Sequence, residues 1–271
     1  MCRWIAYSGS ELRMDSLLLR PEHSFIRQSN HAHHSSYAVN GDGVGVGWYG
    51  EGGAPGLYRD TRPAWNDENL HSLAIHVRSR MFLAHVRASS GSAIQRTNCH
   101  PFRFGHWLLQ HNGEIVRFGE LKQRLDQLVA PELYAHMQGS SDSERLLFLA
   151  LSSGLDSDAP RALALMVGCI EALGRERDVA NPLTMTLAVA DGRRLFGVRY
   201  SSSGNSPTLY HSVHPHALRE RGGREDLLPP DSVLLVSEPL DEVTEHWREV
   251  PEGTLITVEN GEARLEPFVP R

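Results

Sequence analysis

The chain has 271 residues, 22% of them charged and 40% hydrophobic, with a formal net charge of -6. That length suits a single domain near the upper limit for one hydrophobic core, the acidic balance argues against a nucleic-acid partner, and no apolar run approaches the ~18 residues of a membrane span. Cys2, Cys99 and Cys169 are odd in number and widely spaced, which excludes a disulfide framework; together with the lack of a secretory leader they place the expected home of the chain in the cytoplasm.

The first element expected is a short strand over residues 2–8. If Met1 is removed, Cys2 carries a thiol and a free α-amine on one carbon skeleton. The amine titrates near ~8 and the thiol near ~8.5, so a nucleophile and its base lie side by side without a separate histidine. Leu12–Leu19 reads as a loop or a short helical turn before Pro21, and Gln28–Ser36 as a polar loop. His31, His33 and His34 have no Cys or carboxylate at ligand spacing, so no metal site is expected there.

Gly45-Val46-Gly47-Trp48-Tyr49-Gly50 matches the letters of a dinucleotide fingerprint. The context excludes it, because Glu51-Gly52-Gly53-Ala54-Pro55-Gly56 cannot open the required helix. The glycines read instead as a bend into a strand whose backbone closely approaches a small ligand. No cofactor is expected.

Trp65-Asn66-Asp67 caps a helix with apolar positions Leu70, Leu73, Ala74 and Val77, ending near Ser79. Met81–Ala84 forms a buried strand running into His85-Val86-Arg87, and the strand Trp107–Gln110 delivers His111-Asn112-Gly113. An amphipathic helix follows over 118–129. Ser141-Asp142-Ser143-Glu144 is a capping box that puts Asp142 in the first turn of the next helix. After a helix over about 159–173 the period changes to two. Hairpins are predicted around Asp191-Gly192 and Asn260-Gly261, with 214–230 loop-rich and Val233–Val236 a buried strand. Strands, then helices, then strands again give an α+β fold in which two mainly antiparallel sheets pack on each other with helices outside, a four-layer αββα sandwich.

Cys2, Arg87, Asn112-Gly113 and Asp142 lie at strand ends or a helix start, where a rigid scaffold can gather them. Singly, each has an ordinary structural explanation: an ion pair, a turn, a helix-dipole partner. In this order they resemble the class II glutamine amidotransferase domain of the N-terminal-nucleophile hydrolases. The resemblance runs through Met1-Cys2, the glycine-rich Asp42–Trp48, His85-Val86-Arg87, Asn98-Cys99-His100-Pro101-Phe102, His111-Asn112-Gly113-Glu114-Ile115 and Ser141–Glu144. After Arg87 the chain reads Ala88-Ser89-Ser90-Gly91, where the large synthases of the class have a longer, Trp-containing stretch. The short stand-alone type, with the ergothioneine-pathway γ-glutamyl amidohydrolases, is similar in its Arg-Trp start and in the Tyr58-Arg59-Asp60 to Trp65 region.

The resemblance implies hydrolysis of a γ-glutamyl amide, either glutamine or a larger conjugate, through a thioester on Cys2. It implies oxyanion donors from the Asn112 amide and the Gly113 backbone N–H, a substrate carboxylate on Arg87 and a substrate ammonium on Asp142. A small-molecule γ-glutamyl substrate is the expected ligand, and a separate synthase or a second copy of the chain remains open as a partner. The competing readings are an ammonia-supplying glutaminase subunit and a catalytically silent binding module on the same fold.

Overall fold

A computed structural model of the chain describes residues 2–30, 40–89, 92–213, 217–219 and 225–271. Its strands are β1 (Arg3–Arg13), β2 (Val44–Trp48), β3 (Gly56–Asp60), β4 (Arg78–Val86), β5 (Phe102–Phe104), β6 (Trp107–Ile115), β7 (Leu183–Ala190), β8 (Arg194–Ser201), β9 (Tyr210–Ser212), β10 (Ala217–Arg219), β11 (Glu225–Leu227), β12 (Val233–Val236), β13 (Trp247–Glu249), β14 (Thr254–Glu259) and β15 (Glu262–Pro267). Its helices are α1 (Asp15–Leu18), α2 (Phe25–Asn30), α3 (Glu68–His76), α4 (Phe118–Leu128), α5 (Pro131–Tyr134), α6 (Asp142–Ser152) and α7 (Ala159–Glu176).

Two antiparallel sheets carry the fold. The first runs β13-β9-β12-β1-β4-β2-β3 and the second β15-β14-β8-β7-β6-β5, with β10 and β11 as a separate pair. Side-chain alternation along β1 separates the layers. Trp4 and Ala6 face the second sheet, packing with Leu83 of β4 and with Leu108, Ala188 and Ile256 from the opposite side. Ile5 and Tyr7 point the other way, into a core shared with Leu17, Phe25, Leu70 and Ala74 of the first three helices. The outer face of the second sheet, with Leu109 and Leu187, packs on Leu121, Leu146 and Leu163 of α4, α6 and α7. The result is the expected αββα sandwich. Each fully buried Leu or Phe adds roughly 1.5–3 kcal/mol of apolar burial to it.

Local chemistry sets the boundaries. Asp67 and Asp158 cap α3 and α7 by accepting from Leu70 N (3.1 Å) and Arg161 N (3.1 Å). Asn260 and Gly261 both take positive φ, 52° and 78°, as a tight β14–β15 turn requires. The capping box is half formed: Ser141 Oγ accepts from Glu144 N, but the Glu144 carboxylate turns to the N–H groups of Gln138 and Gly139, each at 2.8 Å.

Several expected boundaries change. The first strand, expected over residues 2–8, runs on to Arg13, because β4 pairs with it again at Leu12 and Arg13 after an irregularity beyond Ser8. Gln28, Ser29 and Asn30 are helical, since α2 packs Phe25 and Ile26 into the core and carries the chain with it; the rest of that predicted loop, His31–Ser36, lies outside the described residues. Helix α3 stops at His76, and Ser79 belongs to β4, where its hydroxyl donates to Tyr49 O at 2.8 Å. Strand β6 continues through Ile115, because β7 pairs with it all the way to Leu183. Asn112 and Gly113 therefore sit inside a strand.

Candidate active site

Cys2 immediately precedes β1, a central strand. Antiparallel pairing sets Arg3 opposite Val86 on β4, so the end of β4 and Arg87 arrive beside Cys2. The half-buried Cys2 Sγ accepts the Ala88 N–H at 3.3 Å and lies 3.4 Å from the Ala88 carbonyl, to which its S–H donates.

From the opposite sheet, Asn112 donates its Nδ2 to the Cys2 carbonyl at 2.8 Å. Gln110 Nε2 to Ile5 O (3.0 Å) and Trp4 Nε1 to Thr186 Oγ1 (3.3 Å) are further polar ties between the two sheets. Gly113 has φ +136°, and a Cβ there would lie 1.9 Å from Thr184 O, so only glycine fits. Asp142 joins this end of β6 without touching Cys2. Its Oδ2 accepts from Ile115 N at 2.9 Å and its Oδ1 from Ser143 N at 2.7 Å, which pins the start of α6 to the strand.

The glycine-rich segment holds Arg87. Asp42 N donates to Arg87 O (3.0 Å), Arg87 N donates to Gly43 O (2.8 Å), and the Asp42 carboxylate accepts from Ser89 N (2.7 Å). The Arg87 Nη2 donates to Ser89 Oγ, Ser92 Oγ and Ser92 O, whereas the buried Nη1 has no partner among the described residues. An unfilled, buried guanidinium N–H beside a thiol is a ready anion donor. The glycines themselves approach protein rather than ligand: a Cβ on Gly45 would meet His100 O at 2.1 Å, and one on Gly47 would meet Leu108 and Pro101. The expectation of a ligand beneath these glycines is corrected accordingly.

Three buried histidines lie close to one another, with His85 beside Asn112. His85 and His100 stack with ring centroids 3.9 Å apart, His85 Nε2 meets His111 O at 3.2 Å, and His111 Nδ1 meets Ser143 Oγ at 2.9 Å. Burial pushes the His85 pKa down to about 3 and that of His100 well below the usual value; His111 is also lowered by burial, opposed by the nearby Asp142. All three are neutral at physiological pH. The His85 Nε2 contact with a carbonyl requires the proton on that nitrogen. Burial is likewise the largest influence on the Cys2 thiol and pushes it up, against the Ala88 N–H and the charges of Arg87 and Arg3.

Among the described residues no group of His, Cys, Asp and Glu is arranged to hold a metal, and the His31–His34 tract lies outside them. No helix is long and apolar enough to cross a membrane. Sequence reasoning missed the Ala88 backbone, Arg3 and Glu238. Arg3 is visible in the opening Cys-Arg-Trp, but Glu238 lies in a segment with no signature and reaches the site only through β12.

Residues 22–269 match the family of class-II glutamine amidotransferases. The chain is 31% identical over 303 aligned positions to the Saccharomyces cerevisiae protein named "Probable glutamine amidotransferase DUG3", covering 99% of this chain and 85% of that one. It is 28% identical over 270 positions to the Mycolicibacterium smegmatis gamma-glutamyl-hercynylcysteine sulfoxide hydrolase, covering 99% and 100% of the two. Among solved structures it is similar to a glutamine aminotransferase class-II domain protein from Silicibacter pomeroyi, with a TM-score of 0.74 at 32% identity over 99% of this chain and 100% of that one. With Cys2, Arg87 and Asn112 gathered at one end of an αββα sandwich, these likenesses identify the chain as a member of the class II glutamine amidotransferase family.

Proposed function

We propose that the chain hydrolyses a γ-glutamyl amide through a thioester on Cys2. The observation that carries this reading is the setting of the Cys2 sulfur: against the Ala88 N–H, beside Arg87, with the Asn112 amide bonded to the Cys2 carbonyl. Once Met1 is removed, the Cys2 α-amine takes the thiol proton and the thiolate attacks the γ-carbonyl carbon. The oxyanion is met by the second Asn112 N–H and the Gly113 N–H. Collapse of the tetrahedral intermediate breaks the C–N bond, and the α-ammonium passes its proton to the departing ammonia or amine. Water then attacks the thioester as the same amine accepts its proton, the C–S bond breaks, the amine returns the proton to the Cys2 sulfur, and glutamate leaves. Arg87, through its unfilled Nη1, binds the substrate α-carboxylate, and Asp142 binds the α-ammonium.

The hydrolase name of the mycolicibacterial relative, matched along its whole length, supports a free-standing amidohydrolase over an ammonia-supplying subunit. We take residues 1–271 as one domain of this type acting in the cytoplasm, a placement supported by the free thiols of Cys2, Cys99 and Cys169. The test is glutamate release from glutamine and from γ-glutamyl amines by the Met1-processed protein and by its Cys2→Ala variant. Release by the former alone is expected; equal release by both overturns the mechanism.

A further inference from the structure

We infer that Arg3, braced by Glu238, is a positioning residue that fixes the Cys2 nucleophile by gripping its carbonyl. The inference rests on the reading of Cys2 given above. Arg3 and Glu238 are 4% and 3% exposed and form an ion pair between Arg3 Nη2 and Glu238 Oε1. The same guanidinium donates Nη1 to the Cys2 carbonyl at 3.0 Å, and that carbonyl also accepts Asn112 Nδ2 at 2.8 Å. Two donors occupy the two lone-pair directions of one sp² oxygen. The Cys2–Arg3 peptide plane is thereby locked from both sides, Arg3 on the first sheet and Asn112 from the second. The α-amine and the thiol both hang from the Cα that this plane carries.

Alternation assigns Arg3 a positioning role rather than contact with substrate. Trp4 and Leu235 face the inter-sheet core, while Ile5 and Val236 face the helical layer. Arg3 and Glu238, each two residues from an outward side chain, point to that outer face; Cys2, two residues from Trp4, points inward towards Asn112. Strand β12 delivers the carboxylate, because Ser237 N donates to Trp4 O (3.0 Å) and Trp4 N donates to Ser237 Oγ (3.0 Å), aligning Glu238 with Arg3. A buried ion pair is a weak source of stability, since desolvating both charges offsets their attraction, so its presence here fits a geometric task. That task needs arginine: a planar fork grips a carboxylate and a carbonyl together, and an ammonium does not.

The experiment uses the full, Met1-processed chain and compares wild type, Arg3→Lys, Glu238→Gln, their double variant and Glu238→Asp. The readouts are glutamate release from glutamine, iodoacetamide alkylation of Cys2 and thermal melting. Arg3→Lys keeps the charge, so alkylation stays within about twofold of wild type. Its kcat falls by ~10-fold or more, as misplacing a reacting group does, with KM little changed. Glu238→Gln lowers kcat similarly, and the double variant is no worse than the poorer single one, because the two residues act as a unit. Should Glu238→Gln fail to fold, Glu238→Asp, which keeps the charge but shortens the reach, takes its place. Wild-type kcat in Arg3→Lys, a loss confined to KM, or losses that multiply in the double variant each overturn the brace while leaving the role of Cys2 standing. A wild type no more active than Cys2→Ala overturns both.

Discussion

Ala88 meets the Cys2 sulfur with both of its backbone polar groups, donating its N–H at 3.3 Å and offering its carbonyl to the thiol at 3.4 Å. The N–H favours a thiolate, whereas the carbonyl and the surrounding burial favour a thiol, and the balance pushes the Cys2 pKa up. Direct ionisation is therefore a poor route to the nucleophile at neutral pH, and on the proposed mechanism the neighbouring amine takes the proton. Protein that keeps Met1 is expected to be alkylated at Cys2 more slowly than free cysteine, with the rate still rising above the ordinary thiol range. Processed protein is expected to react faster and to reach its plateau at lower pH. Mass spectrometry of iodoacetamide labelling across the pH range measures both; identical profiles remove the α-amine from the mechanism.

Asn112 has one Nδ2 hydrogen on the Cys2 carbonyl and, on the proposed mechanism, the other on the oxyanion. Truncation to Ala costs the fold one hydrogen bond and a small cavity, about 1–3 kcal/mol. The chemical step loses a fixed donor where charge develops, about 10²–10³-fold in kcat. Denaturant unfolding and steady-state kinetics on Asn112→Ala separate the two. A fall in activity no larger than the fall in folded population confines Asn112 to a structural role.

Arg87 is expected to govern binding rather than turnover. Its Nη2 is committed to Ser89 and Ser92 and its Nη1 is unfilled, so on the proposed reading one planar group both anchors the loop and receives a carboxylate. A lysine cannot serve both. Arg87→Lys is expected to raise KM for glutamine by ~10-fold or more and to lower kcat less. An unchanged KM moves the carboxylate site elsewhere.

The fold was legible because its signals are local. Period-two runs flank Asp191-Gly192 and Asn260-Gly261, and Asp67 stands one residue before the helix start and three before Leu70, the first position of its apolar stripe; each imposes its element without help from the rest of the chain. The ends of elements were less legible, since partners decide them. Strand β6 reaches Ile115 because β7 is there to pair with it, and α3 yields Ser79 to β4 for the same reason. In the site, Cys2, Arg87 and Asn112 are ordinary taken singly, and they were legible through their order at strand ends, in which the chain resembles its family. The Ala88 backbone carries no side-chain signature, and Glu238 is one acidic residue among many until β12 pairs with β1.

Gly45 and Gly50 separate the structural meaning of the glycine-rich segment from the letters of a nucleotide motif. A Cβ at Gly45 meets the His100 carbonyl oxygen at 2.1 Å and the Tyr58 carbonyl oxygen at 2.9 Å, both backbone atoms on neighbouring segments that cannot swing aside. At Gly50 the added Cβ meets nothing within 4 Å. Gly45→Ala is expected to destabilise by about 1–3 kcal/mol, as overpacking does, and Gly50→Ala to stay within about 0.5 kcal/mol of wild type. Urea unfolding of the two variants decides; equal effects contradict the packing explanation.

The three buried histidines make the fold sensitive to acid. Burial holds His85 down at about 3, against 6.5 for the unperturbed side chain, and lowers His100 and His111 as well, so the unfolded chain binds protons that the folded chain refuses. The stability that neutral His85 preserves is complete above about 6.5 and drains away as pH falls towards 3, by up to ~1.4 kcal/mol per pH unit for each such histidine. Replacing His85 with Gln keeps an N–H for the His111 carbonyl and removes one titrating group. Urea midpoints between about pH 6.5 and 5, a window above most carboxylate titration, are expected to fall more steeply in wild type than in His85→Gln. The difference in slope approaches one proton. Parallel slopes mean that the folded protein accepts the charge on His85, and that the surroundings of this side chain are wetter and more compliant than their packing indicates.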